Sequence, residues 1–322
     1  MVLITDHTWP DIELERSLLA GADLRVTDAP AADEASLRAL ATDAIAIMTC
    51  FAQVTPSVIE SAPNLKMIAR YGVGVDNIAV EVATARQIPV TYVPDYCVAE
   101  VAEHALALML SLARGVVRYS RSVSAGGWDL GVAAPVYRIE GRTLGIVGCG
   151  RIGRRLAQMV LGLGVRVLGY DPDPAAVSGI ERVDLDDLLA RSDFVSLHVP
   201  LLPATRGLVD EAFLRRMKPT GYLINTARGG LVDVAALARA LKEGWLAGAA
   251  LDVLPQEPPP SDDPLRGLDN VVLTPHVSFY SEESLLALRR RTAQSVVDVL
   301  AGRQAEHVYN RAALARGAAA EA

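Results

Sequence analysis

Short apolar runs alternate with amphipathic stretches from one end of the chain to the other. The runs fall at 2–5, 24–27, 45–49, 67–69 and 90–92, and again at 144–148, 166–170, 194–199, 222–226, 249–253 and 271–274. Nearly all are continuous rather than alternating, the pattern of parallel strands covered on both faces. Helical periodicity fills the intervals, as at 14–20, 36–41, 56–61 and 77–87. This alternation predicts an α/β fold built on doubly wound parallel sheets. Two sets of runs predict two such sheets rather than one very wide one. Between the sets, 98–123 has the pattern of one long helix, followed by an excursion over 125–135. A last long helix is predicted over 282–301, and the alanine-rich 312–322 is expected to fray.

A length of 322 residues fits about two domains at roughly 150 residues each. The stretch 100–285 suffices for a complete six-stranded unit, which leaves the last helix to pack back on the first. The expected division is therefore a discontinuous domain, 1–99 plus 286–322, and an inserted domain, 100–285.

Within the second set, Gly148-Cys149-Gly150-Arg151-Ile152-Gly153 fits G-x-G-x-x-G between an apolar run and a helical pattern, the context in which that fingerprint marks a dinucleotide site. Its glycines serve a tight turn, close approach to a pyrophosphate, and close packing of helix on strand. The helix N-terminus presents N–H groups and a positive dipole end to phosphate. Eighteen positions beyond Gly153, the next strand ends at Asp171. A carboxylate there accepts hydrogen bonds from ribose hydroxyls and repels a 2′-phosphate. Pro172-Asp173-Pro174 offers no arginine to reverse that preference, so NAD is expected as cofactor rather than NADP.

Composition narrows the class. The chain is 51% hydrophobic and 21% charged, close to ordinary globular values, which argues against disorder. The formal charge of −7, with no Lys/Arg-rich stripe, argues against nucleic acid or an anionic membrane as partner. Cys50, Cys97 and Cys149 are odd in number and lack metal-ligand spacing, so reduced thiols and no metal are expected. The first residues form a short strand pattern without a basic region, which predicts no signal peptide. The longest apolar stretch, 102–113, is interrupted by Glu103 and His104 and is well short of the ~20 residues of a spanning helix. A cytoplasmic location follows as the expectation.

The later strands end in polar residues, where open α/β sheets bind ligands. The run at 222–226 leads to Arg228, that at 249–253 towards Glu257, and that at 271–274 to His276. A guanidinium can grip a carboxylate and polarise a neighbouring ketone. A histidine can deliver a proton to the oxygen as hydride arrives at carbon, and a carboxylate beside it stabilises the imidazolium. The trio suits reduction of a 2-oxo acid.

At this point the sequence resembles the D-isomer-specific 2-hydroxyacid dehydrogenases. The resemblance rests on Asn225-Thr226-Ala227-Arg228-Gly229-Gly230-Leu231-Val232-Asp233, on Leu251-Asp252-Val253 with Glu257-Pro258, and on Thr274-Pro275-His276, and it extends over nearly the whole chain. It implies two doubly wound lobes, flavodoxin-like and Rossmann, with the nucleotide lobe inserted in the substrate lobe. It implies catalytic roles for Arg228, Glu257 and His276. Tyr71-Gly72-Val73-Gly74-Val75-Asp76-Asn77 is similar to the family's glycine turn, which implies that the N–H groups of Val73 and Gly74 receive the substrate carboxylate, with Arg228 and His276 also binding substrate. The cofactor set implied is Val73, Gly148, Gly150, Arg151, Ile152, Gly153, Asp171, Val199, Pro200, Thr226, Ala227, Arg228, Asp252 and His276, with Asp252 on the nicotinamide side. Asp76 is read as a helix N-cap, and 49–51 as facing either the substrate side chain or the core. His198 and His104 are read as structural.

Further segments, Pro94 to Glu100 and Tyr280 to Ser284, resemble the C-terminal-binding-protein-like branch, whose corepressor members carry tryptophan where this chain has Phe279. By analogy the helix 98–123 and the excursion form most of a homodimer interface, and the lobes close on their reactants. The expected activity is NAD-dependent reduction of a small 2-oxo acid to a D-2-hydroxy acid, or the reverse. The alternatives are an NAD(H)-sensing regulator of the corepressor kind and a dehydrogenase for an oxyanion such as phosphite.

Overall fold

The computed structural model describes residues 1–177 and 179–320. The chain divides into two compact units, Met1–Tyr96 with Ser281–Ala322, and Cys97–Tyr280.

The first unit is built on five parallel strands, β1 (Val2–Ile4), β2 (Val26–Asp28), β3 (Ala46–Thr49), β4 (Met67–Arg70) and β5 (Val90–Thr91), in the order β2-β1-β3-β4-β5. Helices α1 (Glu13–Ala20), α2 (Glu34–Ala41), α3 (Pro56–Glu60) and α4 (Val80–Ala85) connect them. Successive strand residues feed different cores. Val2, Ile4, Met48 and Met67 pack on one face, and Leu3, Ile47, Ile68 and Val90 on the other. Burial on both sides is why these strands read as unbroken apolar runs. The helix expected from residue 77 starts only at Val80, with Ala79 at its cap position. Residues 77–79 instead pair with Val54: its N–H donates to the Asn77 carbonyl (2.8 Å) and its carbonyl accepts from Ala79 N–H (3.0 Å). Asp76 is therefore not an N-cap, contrary to expectation.

The second unit opens with α5 (Val98–Arg114) and α6 (Val116–Ser124), two helices where one was expected. Gly115 separates them in a left-handed conformation (φ 63°). The sheet has seven parallel strands: β6 (Thr143–Val147), β7 (Arg166–Tyr170), β8 (Glu181–Arg182), β9 (Phe194–Leu197), β10 (Tyr222–Asn225), β11 (Gly248–Leu251) and β12 (Val271–Leu273), in the order β12-β11-β10-β9-β6-β7-β8. The seventh, β8, is an exposed two-residue edge strand of charged residues, so no apolar run announces it. Helices α7 (Arg151–Leu161), α8 (Leu185–Arg191), α9 (Glu211–Arg216) and α10 (Val234–Glu243) complete the unit. The strand order reverses between β6 and β9, the switch point at which such sheets bind ligands.

Two later helices, α11 (Glu282–Leu300) and α12 (Arg311–Ala320), return to the first unit. Leu288, Ala293 and Val296 of α11 join the core of Val2 and Met67, and burying a side chain the size of Leu or Val contributes about 1.5–3 kcal/mol. Arg289 grips the fully buried Glu15 of α1 through both carboxylate oxygens (2.8 and 2.7 Å). Asn310 is hydrogen-bonded to the β5 backbone and to Ile88 and Thr84. The tail expected to fray is helical through 320, in keeping with the helix propensity of its alanines; residues 321 and 322 lie outside the described residues.

Candidate active site

The glycine turn joins β6 to α7. Gly148 is in a positive-φ conformation (96°), and a Cβ there would sit 2.6 Å from the His198 carbonyl group and 2.8 Å from Val199. A Cβ on Gly153 would sit 2.3 Å from the Gly148 carbonyl oxygen, so only glycine brings the helix this close to the strand. On Gly150 a Cβ would meet nothing within 4 Å: the turn faces open space at the place a pyrophosphate would occupy. Helices α8, α9 and α10 are each capped by an aspartate side chain, whereas α7 starts at Gly150 with no side-chain cap. Its first N–H groups are thus left for a ligand. Arg151 is exposed and Ile152 half-buried.

Asp171, at the end of β7, accepts from the N–H of Cys149 (2.8 Å) with one oxygen and from that of Asp173 (2.9 Å) with the other. It braces the turn as well as standing where a ribose is expected. Burial, with the Asp171 carboxylate adding to it, pushes the Cys149 thiol up to about 11, so it is neutral and inert. Val199 and Pro200 follow β9. His198 before them hydrogen-bonds Ser196 (2.9 Å), and desolvation lowers its pKa to about 4. Thr226 is buried, and its hydroxyl has no hydrogen-bond partner. Such an orphan in a nucleotide fold marks a contact for a bound group.

The three residues expected to carry chemistry stand at successive strand ends. The buried Asn225 closes β10, accepting from Ala227 N–H (3.0 Å) and donating to the Arg228 carbonyl (2.9 Å). Arg228 Nη1 donates to the Ala227 carbonyl (2.7 Å). Glu257 Oε1 accepts from Leu254 N–H (2.8 Å), and Oε2 lies 2.7 Å from His276 Nδ1. The carboxylate can only accept, so Nδ1 carries a hydrogen.

His276 itself adopts a left-handed backbone (φ 53°), uncommon for a non-glycine residue and stable only where its surroundings fix it. Asp252 does so. Its backbone carbonyl accepts from His276 N–H (2.8 Å), and its carboxylate accepts from Val277 N–H and Ser278 N–H (both 2.9 Å) and from the Thr274 hydroxyl (2.5 Å). Burial raises the Asp252 pKa, but the Thr274 hydroxyl and the two N–H groups outweigh it, and the net shift is downward. With its hydrogen committed to Asp252, the Thr274 oxygen accepts from His104 Nε2 (3.1 Å). A cavity of about 630 Å³ adjoins Glu257, His276, Leu254 and Leu273.

In the first unit the turn expected to take a carboxylate follows β4. Val73 is exposed and Gly74 half-buried. Arg70 donates to Asn77 (3.1 Å) and to the Tyr71 carbonyl. Asn77 donates to the Ala52 carbonyl (2.8 Å), tying this turn to the one after β3. That neighbouring turn hangs from Asp6, whose carboxylate accepts from three successive N–H groups, those of Cys50, Phe51 and Ala52 (2.9, 2.6 and 3.1 Å). The roles of Asp6, Asn77, Asn225 and Thr274 were not foreseen. A short polar residue at the end of an apolar run, able to fold its side chain back on the backbone, was the available signal.

The profile of the D-isomer specific 2-hydroxyacid dehydrogenase NAD binding domain matches residues 106–278. The chain belongs to this family. A glyoxylate reductase of Korarchaeum cryptofilum is 44% identical over 265 residues, covering 80% of each chain. A D-3-phosphoglycerate dehydrogenase of Methanocaldococcus jannaschii is 43% identical over 80% of this chain, which spans half of that relative. A crystal structure of D-lactate dehydrogenase from Aquifex aeolicus, complexed with NAD and lactic acid, superposes with a TM-score of 0.86 at 31% identity, covering 94% of this chain and 96% of that one. The dehydrogenase is therefore an NAD-dependent oxidoreductase acting on 2-hydroxy acids. Its glycine turn, uncapped α7, Asp171 and the orphan Thr226 hydroxyl fit that cofactor. No helix among the described residues is long and apolar enough to cross a membrane.

Proposed function

We propose that the enzyme reduces a small 2-oxo acid to its D-2-hydroxy acid, preferring NADH to NADPH. The observation that carries this reading is the His276–Glu257 pair at the carboxyl end of the nucleotide-binding sheet (2.7 Å). NADH, when bound, supplies hydride to C2 of the substrate. His276 Nε2 gives its proton to the oxygen as the C=O π bond becomes a C–O–H group, and Glu257 stabilises the imidazolium beforehand through Nδ1–H. Arg228 binds the carboxylate and polarises the ketone. Val73 and Gly74 N–H groups are assigned to the carboxylate, and the Asp171 carboxylate to the adenosine ribose, where it disfavours a 2′-phosphate. The first unit then serves as the substrate domain.

The test is NADH and NADPH oxidation with a panel of 2-oxo acids. Turnover with NADH is expected for at least one, with NADPH poorer. Tight NADH binding without turnover of any oxo acid would favour a sensing role instead, and better use of NADPH would overturn the role given to Asp171.

A homodimer formed through 98–135 belongs to the same reading. Its support is an apolar arm, with Trp128 91% and Leu130 89% exposed. A monomer mass in sedimentation at micromolar concentration would sink it.

A further inference from the structure

Relatives of this chain include both a glyoxylate reductase and a D-3-phosphoglycerate dehydrogenase, whose names imply one substrate without a phosphate group and one that carries it on a third carbon. The carboxyl edge of the five-stranded sheet bears on that difference. The loops leaving β1, β3, β4 and β5, residues 5–12, 50–55, 71–79 and 92–97, contain no lysine or arginine, but carry Asp6, Asp11, Asp76 and Asp95. The cations that do reach these loops already hold partners. Arg70 is bound to Asn77 and the Tyr71 carbonyl. Arg289 holds Glu15 with Asp11 at 3.7 Å, and Arg291 holds Asp95 (2.6 Å).

Beside the turn assigned to the carboxylate stands an apolar group, Phe51, 37% exposed. Its backbone is fixed by Asp6, and its ring lies 5.9 Å from the Arg70 guanidinium. Asn77 joins the two turns through the Cys50 and Ala52 carbonyls (3.3 and 2.8 Å). A C3 substituent leaving the carboxylate turn thus meets an aromatic side chain on a fixed backbone, at an edge rich in carboxylates. A phosphate monoester, with close to two negative charges at neutral pH, finds repulsion there and no uncommitted cation.

We propose that Phe51 and this edge restrict the enzyme to 2-oxo acids whose C3 substituent is absent or short and uncharged, and that they reject phosphorylated ones. The inference rests on the 2-oxo acid reading above. It is tested by comparing kcat/KM for glyoxylate, pyruvate and 3-phosphohydroxypyruvate with NADH, in the wild-type enzyme and in Phe51→Arg. The wild-type value for the phosphorylated acid should be roughly 100-fold below the better of the other two, the scale on which like charges suppress a wrong partner. Phe51→Arg should narrow that gap by on the order of tenfold, by placing a phosphate-binding fork at the turn. A phosphorylated substrate used as well as glyoxylate or pyruvate, or a gap unmoved by Phe51→Arg, overturns the proposal while leaving the 2-oxo acid reading intact. No turnover of any of the three, nor of the wider panel, overturns both.

Discussion

At the scale of single residues, the site is built by side chains that hold other side chains. His276 is fixed twice: Glu257 sets its ring through Nδ1, and Asp252 sets its left-handed backbone through bonds across 276–278. The two residues should therefore respond differently to truncation. His276→Ala removes the group proposed as proton donor, and kcat should fall by about 10²–10⁴-fold, the usual contribution of a positioned acid. Glu257→Gln keeps a group that can accept from Nδ1 but removes the charge that stabilises the imidazolium. Its loss should be smaller than that of His276→Ala, because the ring keeps its partner and its place. Steady-state kcat of the two variants with NADH checks this. A Glu257→Gln enzyme as impaired as His276→Ala would overturn the division of roles. The juxtaposition of His276 and Glu257 was legible in the sequence, because both stand just beyond neighbouring strand ends of one sheet. Asp252 as backbone brace was not, because most of its bonds run to main-chain groups that any residue provides.

At the scale of elements, the strands were legible and their breaks were not. Apolar runs located every strand but β8, which is too short and too charged to form one. The pattern over 98–123 is continuous across Gly115, yet the chain turns there, since a single left-handed residue ends a helix without disturbing the apolar period. The close approach at Gly229, outside the dinucleotide fingerprint, was likewise unmarked in the sequence. Gly229, next to Arg228, packs on the segment leading to Glu257: a Cβ there would lie 1.9 Å from the Leu254 carbonyl carbon and 2.4 Å from the Pro255 nitrogen. Both neighbours are backbone and cannot rotate away. Gly229→Ala should thus push apart the loops that carry Arg228 and Glu257. Overpacking of this kind costs about 1–3 kcal/mol of stability, and a displacement near 1 Å costs about 100-fold in rate. Kinetics alongside thermal melts would check both. Unchanged kcat/KM in a destabilised variant would mean that the loops absorb the strain without moving the reactive groups.

At the scale of the whole molecule, the two sets of strand runs were enough to anticipate two sheets, but not the contacts that close each unit. The returning helix α11 is recruited by Arg289 on the buried Glu15, an ion pair separated by most of the chain and unmarked by any local pattern. Global stability carries one further signature, the histidine beneath the glycine turn. Desolvation lowers the His198 pKa from its ordinary 6.5 to about 4, and its ring nitrogen is engaged by Ser196. The folded state therefore favours the neutral ring, while the unfolded chain takes up a proton below about pH 6.5. Because the folded pKa is the lower one, the stabilisation is fully present above pH 6.5 and is lost as pH falls towards 4. Its ceiling is about 3–4 kcal/mol, since each tenfold difference in proton affinity between the two states is worth about 1.4 kcal/mol; residual solvent contact of the residue brings the expected value below that ceiling. Urea unfolding of wild type and His198→Gln from about pH 7 to 4.5 isolates this contribution, since every other titrating group is common to both. The difference in unfolding free energy should shift in favour of the variant as pH falls, with the largest change between about pH 6.5 and 4.5. Parallel curves for the two proteins would mean that the imidazole is protonated in the folded state as readily as in the unfolded one.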